Sequence, residues 1–403
     1  MKKNYNFCIF LFLFSFAVRL ITISVFNTPI ESDFKLMYDA ALEIINGTNN
    51  YLTTPYFISW GYQMGHVLYQ VFLLSIINSP FFLKIINCII TSLIPVMIFL
   101  ISNLFSKDSY SKIGSLLYSI FPFPVLLNTV LTNQHLPILL TLIAIYLLLR
   151  MDFKSFWFKS IVIGLLLGWS NILRSEGIVF IFSVFLYYIF LILKKVKLKN
   201  LLISFLLIFV SYSLIFDVTS YAIRKTNLSV NGLENMNTTW KFVLGFNYET
   251  NGMYSEEDAN IYAHDVNKSK DIVILRLKDY KKIPILFLKK VKILWFNSDI
   301  SWSLGHIYNS LIYKVLNIIN QFFIILFNFF TIISACNLLK KKLPSNEQFF
   351  ITAILCVFFG VYLLIEIMPR YAYSLQIFEA ILFPVGLNVL ISNIKTNLIN
   401  ISK

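Results

Sequence analysis

Long apolar runs separated by short polar stretches recur along the whole chain. A helix needs about 20 mostly apolar residues to cross a hydrocarbon layer about 30 Å thick, and ten of these runs come near that length or exceed it. Backbone N–H and C=O groups must be satisfied internally within a membrane, so the runs predict a bundle of spanning helices. The predicted spans cover residues 7–26, 82–104, 113–129, 135–149, 160–173, 177–193, 200–222, 312–338, 348–366 and 374–393.

The short basic connections predict the orientation of the bundle. Lys and Arg favour the cytoplasmic side, and placing connections 107–112, 150–159, 194–199 and 340–342 there makes both termini cytoplasmic. Residues 65–80 are apolar enough to form one more span, but that crossing would invert every later connection. We therefore predict that this stretch lies along the outer interface as a juxtamembrane helix.

Two segments are left outside, and they divide the chain into three parts. Residues 1–222 form a transmembrane module with a first external loop at 27–81, residues 223–308 form an external loop region, and residues 309–403 form C-terminal transmembrane helices. The first loop holds an amphipathic pattern that starts after Ser32 and Asp33 and ends at Gly47. Its apolar face consists of Phe34, Met37, Tyr38, Ala41, Leu42 and Ile45.

Composition excludes a water-soluble fold. Hydrophobic residues make up 58% of the 403 positions and charged residues 13%, whereas soluble domains carry about 25% charged residues. The net charge of +14 would suggest nucleic acid in a soluble protein, but here the cations lie at segment ends and in one loop. That distribution predicts anionic membrane lipids and phosphate groups as partners, and no nucleic acid.

The charged side chains at the predicted outer ends of the spans are the candidate functional residues. Glu31 and Asp33 follow the first span, and cations at this depth, where the positive-inside bias makes them unusual, are Lys84, Arg174 and Arg370. Asp33 could also be an ordinary helix N-cap, and Arg370 could pair with Glu366 one turn earlier.

The second loop carries a basic, apolar-interleaved segment. Docking to anionic lipid and recognition of a donor pyrophosphate or an anionic wall polymer are both open interpretations of it. Its cations are Arg276, Lys278, Lys281, Lys282, Lys289, Lys290 and Lys292.

Several enzyme classes lack their sequence signatures. The four histidines have no metal-ligand spacing, and the chain has neither a Walker loop nor a Gly-rich dinucleotide fingerprint. The four cysteines lie far apart inside apolar segments, which is typical of packing residues.

The order of these features resembles the GT-C superfamily of polyprenyl-phosphate-sugar-dependent glycosyltransferases. Within it, the chain is similar to family 39, which includes bacterial relatives of the protein mannosyltransferase and aminoarabinose transferase type. The matching elements, in chain order, are Glu31-Ser32-Asp33 with Tyr38, Ala41 and Gly47; Leu165-Leu166-Leu167-Gly168 leading into Asn171-Ile172-Leu173-Arg174; and Glu366 with Arg370-Tyr371.

The resemblance implies an all-α GT-C bundle of about ten transmembrane helices, with external juxtamembrane helices and a small external loop region. It implies transfer of a sugar from a polyprenyl-phosphate donor to an extracytoplasmic glycan, glycolipid or protein, in a multi-pass protein of the cell membrane. Asp33 would be the general base, with Glu31 the weaker alternative, and Lys84, Arg174 and Arg370 would bind the donor phosphate. Expected substrate contacts are Tyr38, Gln134, His135, Trp240, Asn247, Glu366 and Tyr371.

The chain departs from the family where a second external acidic residue is expected. Asn133-Gln134-His135 stands there instead, so a metal ion bridging two carboxylates is doubtful and the need for a divalent metal stays open.

Two other functions remain as alternatives. An O-antigen-type polymerase or ligase also uses lipid-linked sugars, but works with paired external arginines, so the first-loop aspartate favours the transferase. A lipid-linked sugar flippase or transporter would show an internal repeat and helices broken by Gly or Pro, and the chain has no such repeat and only 13 Gly and 11 Pro.

Overall fold

The computed structural model describes residues 2–152, 156–297, 299–340 and 344–401, and most of them lie in helices. The helices of the first half, α1 to α10, are Lys2–Val25, Ser32–Ile45, Pro55–Ser59, Met64–Leu74, Pro80–Ser102, Asp108–Ser119, Pro122–Leu126, His135–Leu149, Phe156–Leu173 and Gly177–Leu193. Those of the second half, α11 to α19, are Leu198–Lys225, Trp240–Gly245, Glu256–Tyr262, Val266–Lys278, Ile283–Trp295, Ser301–Leu304, Leu311–Lys340, Asn346–Leu364 and Ala372–Ile401.

Seven helices of the described chain are long and apolar enough to cross a membrane, namely α1, α5, α9, α11, α17, α18 and α19. Helices α8 and α10 are apolar but shorter, with 15 and 17 residues. The protein is therefore a multi-pass membrane helix bundle, as the sequence predicts, while the number of ten spans stays a prediction.

The predicted span at 113–129 is not one helix. Helix α6 ends at Ser119, and the five-residue α7 starts at Pro122, followed by a 3₁₀ turn over Leu127–Thr129. Proline lacks an N–H donor and its ring clashes with the preceding helical turn, so Pro122 and Pro124 explain the break.

The stretch predicted to lie along the interface contains helix α4. Its 11 residues span about 17 Å, less than the hydrocarbon thickness, and it is not among the helices long enough to cross. A Cβ atom at Gly65 would lie 1.9 Å from the Ile172 carbonyl oxygen, so only glycine permits this packing of α4 against the end of α9. The first loop is thus held directly against the turn that carries Arg174.

The amphipathic helix of the first loop is confirmed as α2. Phe34, Met37 and Ala41 are buried, and Gly47 adopts a left-handed φ of +71° just beyond the end of the helix. Glu31 occupies the N-cap position and no side chain caps the helix, so the prediction of Asp33 as an ordinary N-cap is wrong. Asp33 lies in the first turn, directly after Ser32, whose φ is +54°.

The second predicted loop is a small helical unit containing α12 to α16. Its buried centre is Asp258, which accepts hydrogen bonds of 2.9 and 3.0 Å from Arg276 and one of 2.7 Å from Asn247. Backbone bonds of 2.8 Å from Glu366 N to Lys241 O and from Ile367 N to Gly252 O join this unit to the segment after α18. The unit therefore lies against the end of the bundle where α18 ends.

Candidate functional site

A cavity of about 500 Å³ opens where the first loop, the turn after α9, the segment after α18 and helix α12 meet. Its wall combines charged groups with aromatic rings and amides, a mixture suited to a polar ligand that also has apolar faces. The lining residues are Ser32, Asp33, Phe34, Met37, Tyr56, Trp60, Tyr62, Gln63, Asn133, Arg174, Trp240, Lys241, Tyr254, Trp302, Glu366, Met368, Arg370 and Tyr371.

Asp33 and Arg370 meet in this cavity although they are 337 positions apart in the chain. The Arg370 Nη2 atom donates to the Asp33 carboxylate over 3.3 Å. The arginine is only 7% exposed, while 37% of the Asp33 side chain is exposed. A carboxylate that reaches solvent thus lies beside a buried cation.

Aromatic rings hold the Arg370 guanidinium in one orientation. Its central carbon lies 4.3 Å from the Trp302 ring centroid and 4.9 Å from that of Phe34, distances typical of cation–π contacts. The Nη1 atom is buried and has no hydrogen-bond partner among the residues that the structure describes. A buried donor left in this way favours an anionic ligand that can accept from it.

The backbone of Arg370 is also held in place. Gln134 Nε2 donates to the Arg370 carbonyl oxygen over 3.0 Å, and the Gln134 Oε1 atom accepts from Thr132 over 3.2 Å. Gln134 is buried and does not line the cavity. The structure therefore places it behind Arg370 and not against a ligand in this cavity.

Arg174 lines the same cavity but is already paired. Its Nε atom lies 2.5 Å from Glu176, its Nη1 atom donates to Asn133 over 2.9 Å, and its guanidinium lies 5.3 Å from the Tyr371 ring centroid. Burial is the largest single influence and opposes the charge, but Glu176 together with Tyr362 and Tyr371 outweighs it and raises the pKa of Arg174. Arg174 thus stays a cation whose charge is partly balanced inside the protein.

A second ion pair, between Lys241 and Glu366, stands on another part of the lining. Glu366 is 2% exposed, whereas 38% of the Lys241 side chain is exposed. Burial is the largest single influence and opposes the lysine charge, but Glu366 together with Tyr371 and Tyr62 outweighs it and raises the pKa of Lys241. The alternative pairing of Glu366 with Arg370 is wrong, because α18 ends at Leu364 and the two residues do not share a helical turn.

Neutral groups complete the wall. Gln63 Oε1 accepts from Asn133 over 3.1 Å, and Gln63 Nε2 donates to the Tyr62 hydroxyl over 3.1 Å. The Tyr56 hydroxyl is buried without a partner among the described residues, and burial raises the pKa of Tyr56 and keeps it a neutral donor. Trp60 lies 6.4 Å from Trp240, centroid to centroid. Such rings, amides and hydroxyls suit the faces and hydroxyl groups of a sugar.

The remaining predicted site residues lie outside this cavity. Lys84 is buried and donates to the Thr28 carbonyl over 3.2 Å, and Tyr38 lies half-buried on α2. His135 contacts the Tyr373 hydroxyl at 3.1 Å.

Asn247 and Glu31 also lie elsewhere. The Asn247 side chain donates to Asp258 inside the helical unit of α12 to α16. Glu31 lines a neighbouring cavity of about 490 Å³, which shares Ser32, Phe34 and Trp302 with the first cavity.

Sequence reasoning missed several lining residues, including Lys241, Tyr56, Tyr62 and Gln63. The signal available for Lys241 was its place next to Trp240, which the sequence analysis names as an expected substrate contact. Nothing in the sequence pairs it with Glu366, which is 125 positions away.

Two further features bear on ligands. Among the residues that the structure describes, no three His, Cys, Asp or Glu side chains come together as a metal site would require. An apolar groove of about 460 Å³ runs between α1, α7 and α17, and its lining includes Phe26, Pro122 and Leu316. Of these helices, α1 and α17 are long enough to cross a membrane. Phe26 in the lining directly precedes the first loop.

Comparison with known proteins identifies the fold. No protein-family model and no curated protein sequence matches the chain. The structure is similar to that of the archaeal oligosaccharyltransferase AglB from Archaeoglobus fulgidus in complex with an inhibitory peptide and a dolichol-phosphate, with a TM-score of 0.56 and 12% identity over 98% of this chain and 51% of that one. It is also similar to the apo form of the Archaeoglobus fulgidus oligosaccharyltransferase, with a TM-score of 0.55 and 13% identity over 98% of this chain and 52% of that one. This chain spans about half the length of those proteins and is similar to them in fold over that part.

Proposed function

We propose that the chain is a membrane glycosyltransferase that moves a sugar from a polyprenyl-phosphate donor to a hydroxyl group of an extracytoplasmic glycan, glycolipid or protein, in the manner of family 39. The observation that carries this proposal is the contact between Asp33 and Arg370 in the cavity at the end of the bundle. A base and a buried cation with an unpartnered donor are the two groups that such a transfer needs.

The proposed reaction is a single displacement at the anomeric carbon. The acceptor oxygen forms a bond to that carbon while the bond to the phosphate oxygen breaks, and polyprenyl phosphate leaves with the electron pair. Asp33 takes the hydroxyl proton, since its carboxylate lines the cavity and reaches solvent. Attack opposite to the leaving group inverts the anomeric configuration.

Cations of the wall would stabilise the leaving phosphate. Arg370 can donate from Nη1, which has no partner among the described residues, while Trp302 and Phe34 keep its plane fixed. Lys241 offers a second, more exposed ammonium group. Arg174 adds positive potential from behind its pair with Glu176.

The apolar groove supports a lipid-linked donor. It is lined by side chains of α1, α7 and α17, and two of these helices are among those long enough to span the membrane. A polyprenyl tail lying there would keep contact with the bilayer while its phosphate reaches past the first loop. AglB was solved with a dolichol-phosphate, a lipid of the same chemical class.

A second candidate function is an O-antigen-type polymerase or ligase. Arg174 and Arg370 both line the cavity and both lie against the Tyr371 ring, at 5.3 and 6.0 Å from its centroid. Paired arginines are the feature on which such enzymes rely. In that case the carboxylate of Asp33 would be dispensable.

Replacing Asp33 with Asn in the source organism tests the proposal. We expect the envelope glycan profile, measured by mass spectrometry, to match that of a full deletion, because the amide cannot accept the proton. Asp39→Asn is the matched control, since Asp39 lies on the same helix and pairs with exposed Lys35. A normal profile from a stably expressed Asp33→Asn protein would reject Asp33 as the base. If the Arg174→Gln and Arg370→Gln proteins lose the product while the Asp33→Asn protein keeps it, the polymerase or ligase is favoured.

A further inference from the structure

The structure separates the basic segment at 276–292 into buried and exposed cations. Arg276 is bound by Asp258, and Lys290 is 1% exposed, so both belong to the interior of the protein. Lys282 pairs with Asp279 at the surface. The remaining lysines are exposed, and they are Lys278, Lys281, Lys289 and Lys292.

Helix α15 has two different faces. The inward face consists of Leu286, Lys290 and Leu294, which are buried at intervals of four residues. The outward face alternates exposed apolar side chains with exposed lysines at helical spacing, and it consists of Ile285, Leu288, Lys289, Lys292 and Phe296. Leu288 is 72% exposed, so the outward face is left without a partner in the described chain.

Contacts of the inward face fix the depth of α15 relative to the spans. Lys290 Nζ donates to the carbonyl oxygens of Leu363 and Ile365, over 2.8 and 2.6 Å, at the C-terminal end of α18. Five residues before that end, Phe359 lies 5.1 Å from the Trp295 ring, centroid to centroid. The second half of α15, from Lys290 to Trp295, therefore lies beside the last five residues of a spanning helix, about 7 Å of its length, and Leu288 and Lys289 come just before the level where that helix ends.

We propose that the outward face of α15 inserts into the headgroup boundary of the bilayer and that Lys289 and Lys292 bind the phosphate groups of anionic phospholipids. The exposed apolar side chains of this face then contact lipid, while the lysine stems lie along apolar surface and their ammonium groups reach the phosphates. A free phosphate ion would leave the aliphatic side chains in water. The bilayer offers contacts to both the apolar side chains and the lysines of this face. The inference is independent of the proposed activity.

Lipid retention by the full-length protein tests the charged part of the surface. The protein is purified from membranes, exchanged into nanodiscs of phosphatidylcholine with about 20% phosphatidylglycerol, and the bound lipid is quantified after detergent extraction. We expect the double variant Lys289→Gln, Lys292→Gln to retain several-fold less phosphatidylglycerol than wild type. Lys268→Gln, Lys270→Gln, on the exposed start of α14, is the control and should retain the wild-type amount. Equal retention by both double variants would overturn the proposal.

A spin label tests the apolar part. In a variant whose four cysteines are replaced by serine, Leu288→Cys carries a nitroxide, and a second protein carries it at Lys268→Cys. We expect the label at 288 to be more accessible to oxygen than to a soluble nickel chelate, and the label at 268 to show the reverse. Greater nickel accessibility at 288 in a monodisperse protein would show a water-facing surface, and protection from both reagents would show a protein partner. Either result rejects insertion into the bilayer.

Discussion

The surroundings of Arg370 and of Lys290 differ, although both are buried cations at the same end of the bundle. Lys290 donates to three backbone carbonyl oxygens, of Gly245, Leu363 and Ile365, and its three donors are thereby used. Arg370 meets one carboxylate and three aromatic rings, and its Nη1 atom has no partner among the described residues. The first arrangement fits a structural role, and the second fits a group that awaits a ligand.

Replacing Arg370 with Lys should have the largest effect on activity. The charge remains, but the planar fork and the stacking against Trp302 and Phe34 are lost, so we expect product formation to fall about 100-fold or more. The thermal unfolding temperature in detergent should fall much less than activity, because the charge is kept and only one weak hydrogen bond to Asp33 and the ring contacts are lost. Glycan profiling of the complemented strain, together with thermal unfolding, measures both quantities.

Normal product levels in the Arg370→Lys variant would contradict a ligand-binding role for Arg370, the role that distinguishes it from Lys290. A suitable control is Arg224→Lys, since Arg224 forms an exposed pair with Glu234 away from the cavity.

Replacing Lys290 with Met should mainly lower stability. The substitution leaves three buried carbonyl oxygens without donors, and we expect a loss of about 2–3 kcal/mol in the free energy of unfolding. Activity should fall in parallel with the folded fraction. Lys290 holds the carbonyl of Ile365, and the next residue, Glu366, lines the cavity. Thermal unfolding measured with Lys289→Met as the control separates the effect of the buried lysine from that of its exposed neighbour. Unchanged stability of the Lys290→Met protein would contradict a structural role.

His66 extends the comparison to a buried group that is held neutral. It lies on α4 within 3.2 Å of Gln70, and burial, aided by the charge of Arg174, lowers the pKa of His66 to about 3. The unfolded chain takes up a proton below about pH 6.5 and the folded protein does not, so acid should destabilise the wild type through this residue.

The acid destabilisation caused by His66 is measured by comparing the wild type with a His66→Gln protein. We expect the stability of wild type relative to His66→Gln to fall by about 1–2 kcal/mol between pH 7 and pH 5, as followed by thermal unfolding in detergent. A difference that does not change with pH would mean that His66 is protonated equally in both states.

Local patterns in the sequence were enough to predict the parts of the site that each lie in one segment. Asp33 on an amphipathic helix, Arg174 after one apolar run and Arg370 after another were all predicted, and all three line the cavity. Their roles stay predictions. Helix periodicity and the positive-inside bias are local properties, so they can be read from a single chain.

Pairings between distant segments could not be predicted in the same way. The contact of Lys241 with Glu366 depends on the helical unit of α12 to α16 folding back over the end of α18. The pairing of Glu366 with Arg370 was wrong because a helical spacing was applied beyond Leu364, where the helix ends. The break at Pro122 was visible in the sequence, but the apolar run continues through it and masked the proline signal.

The close packing at Gly65 limits where a drug-like molecule can enter beside the cavity. There, α4 lies against the end of α9 with no room for even a methyl group, so a hydrophobic compound cannot wedge between them. The apolar groove between α1, α7 and α17 shares no lining residue with the cavity. A lipid-mimetic inhibitor with its tail in that groove therefore needs a spacer to bring its polar head to Arg370, and resistance substitutions should arise along α1 and α17.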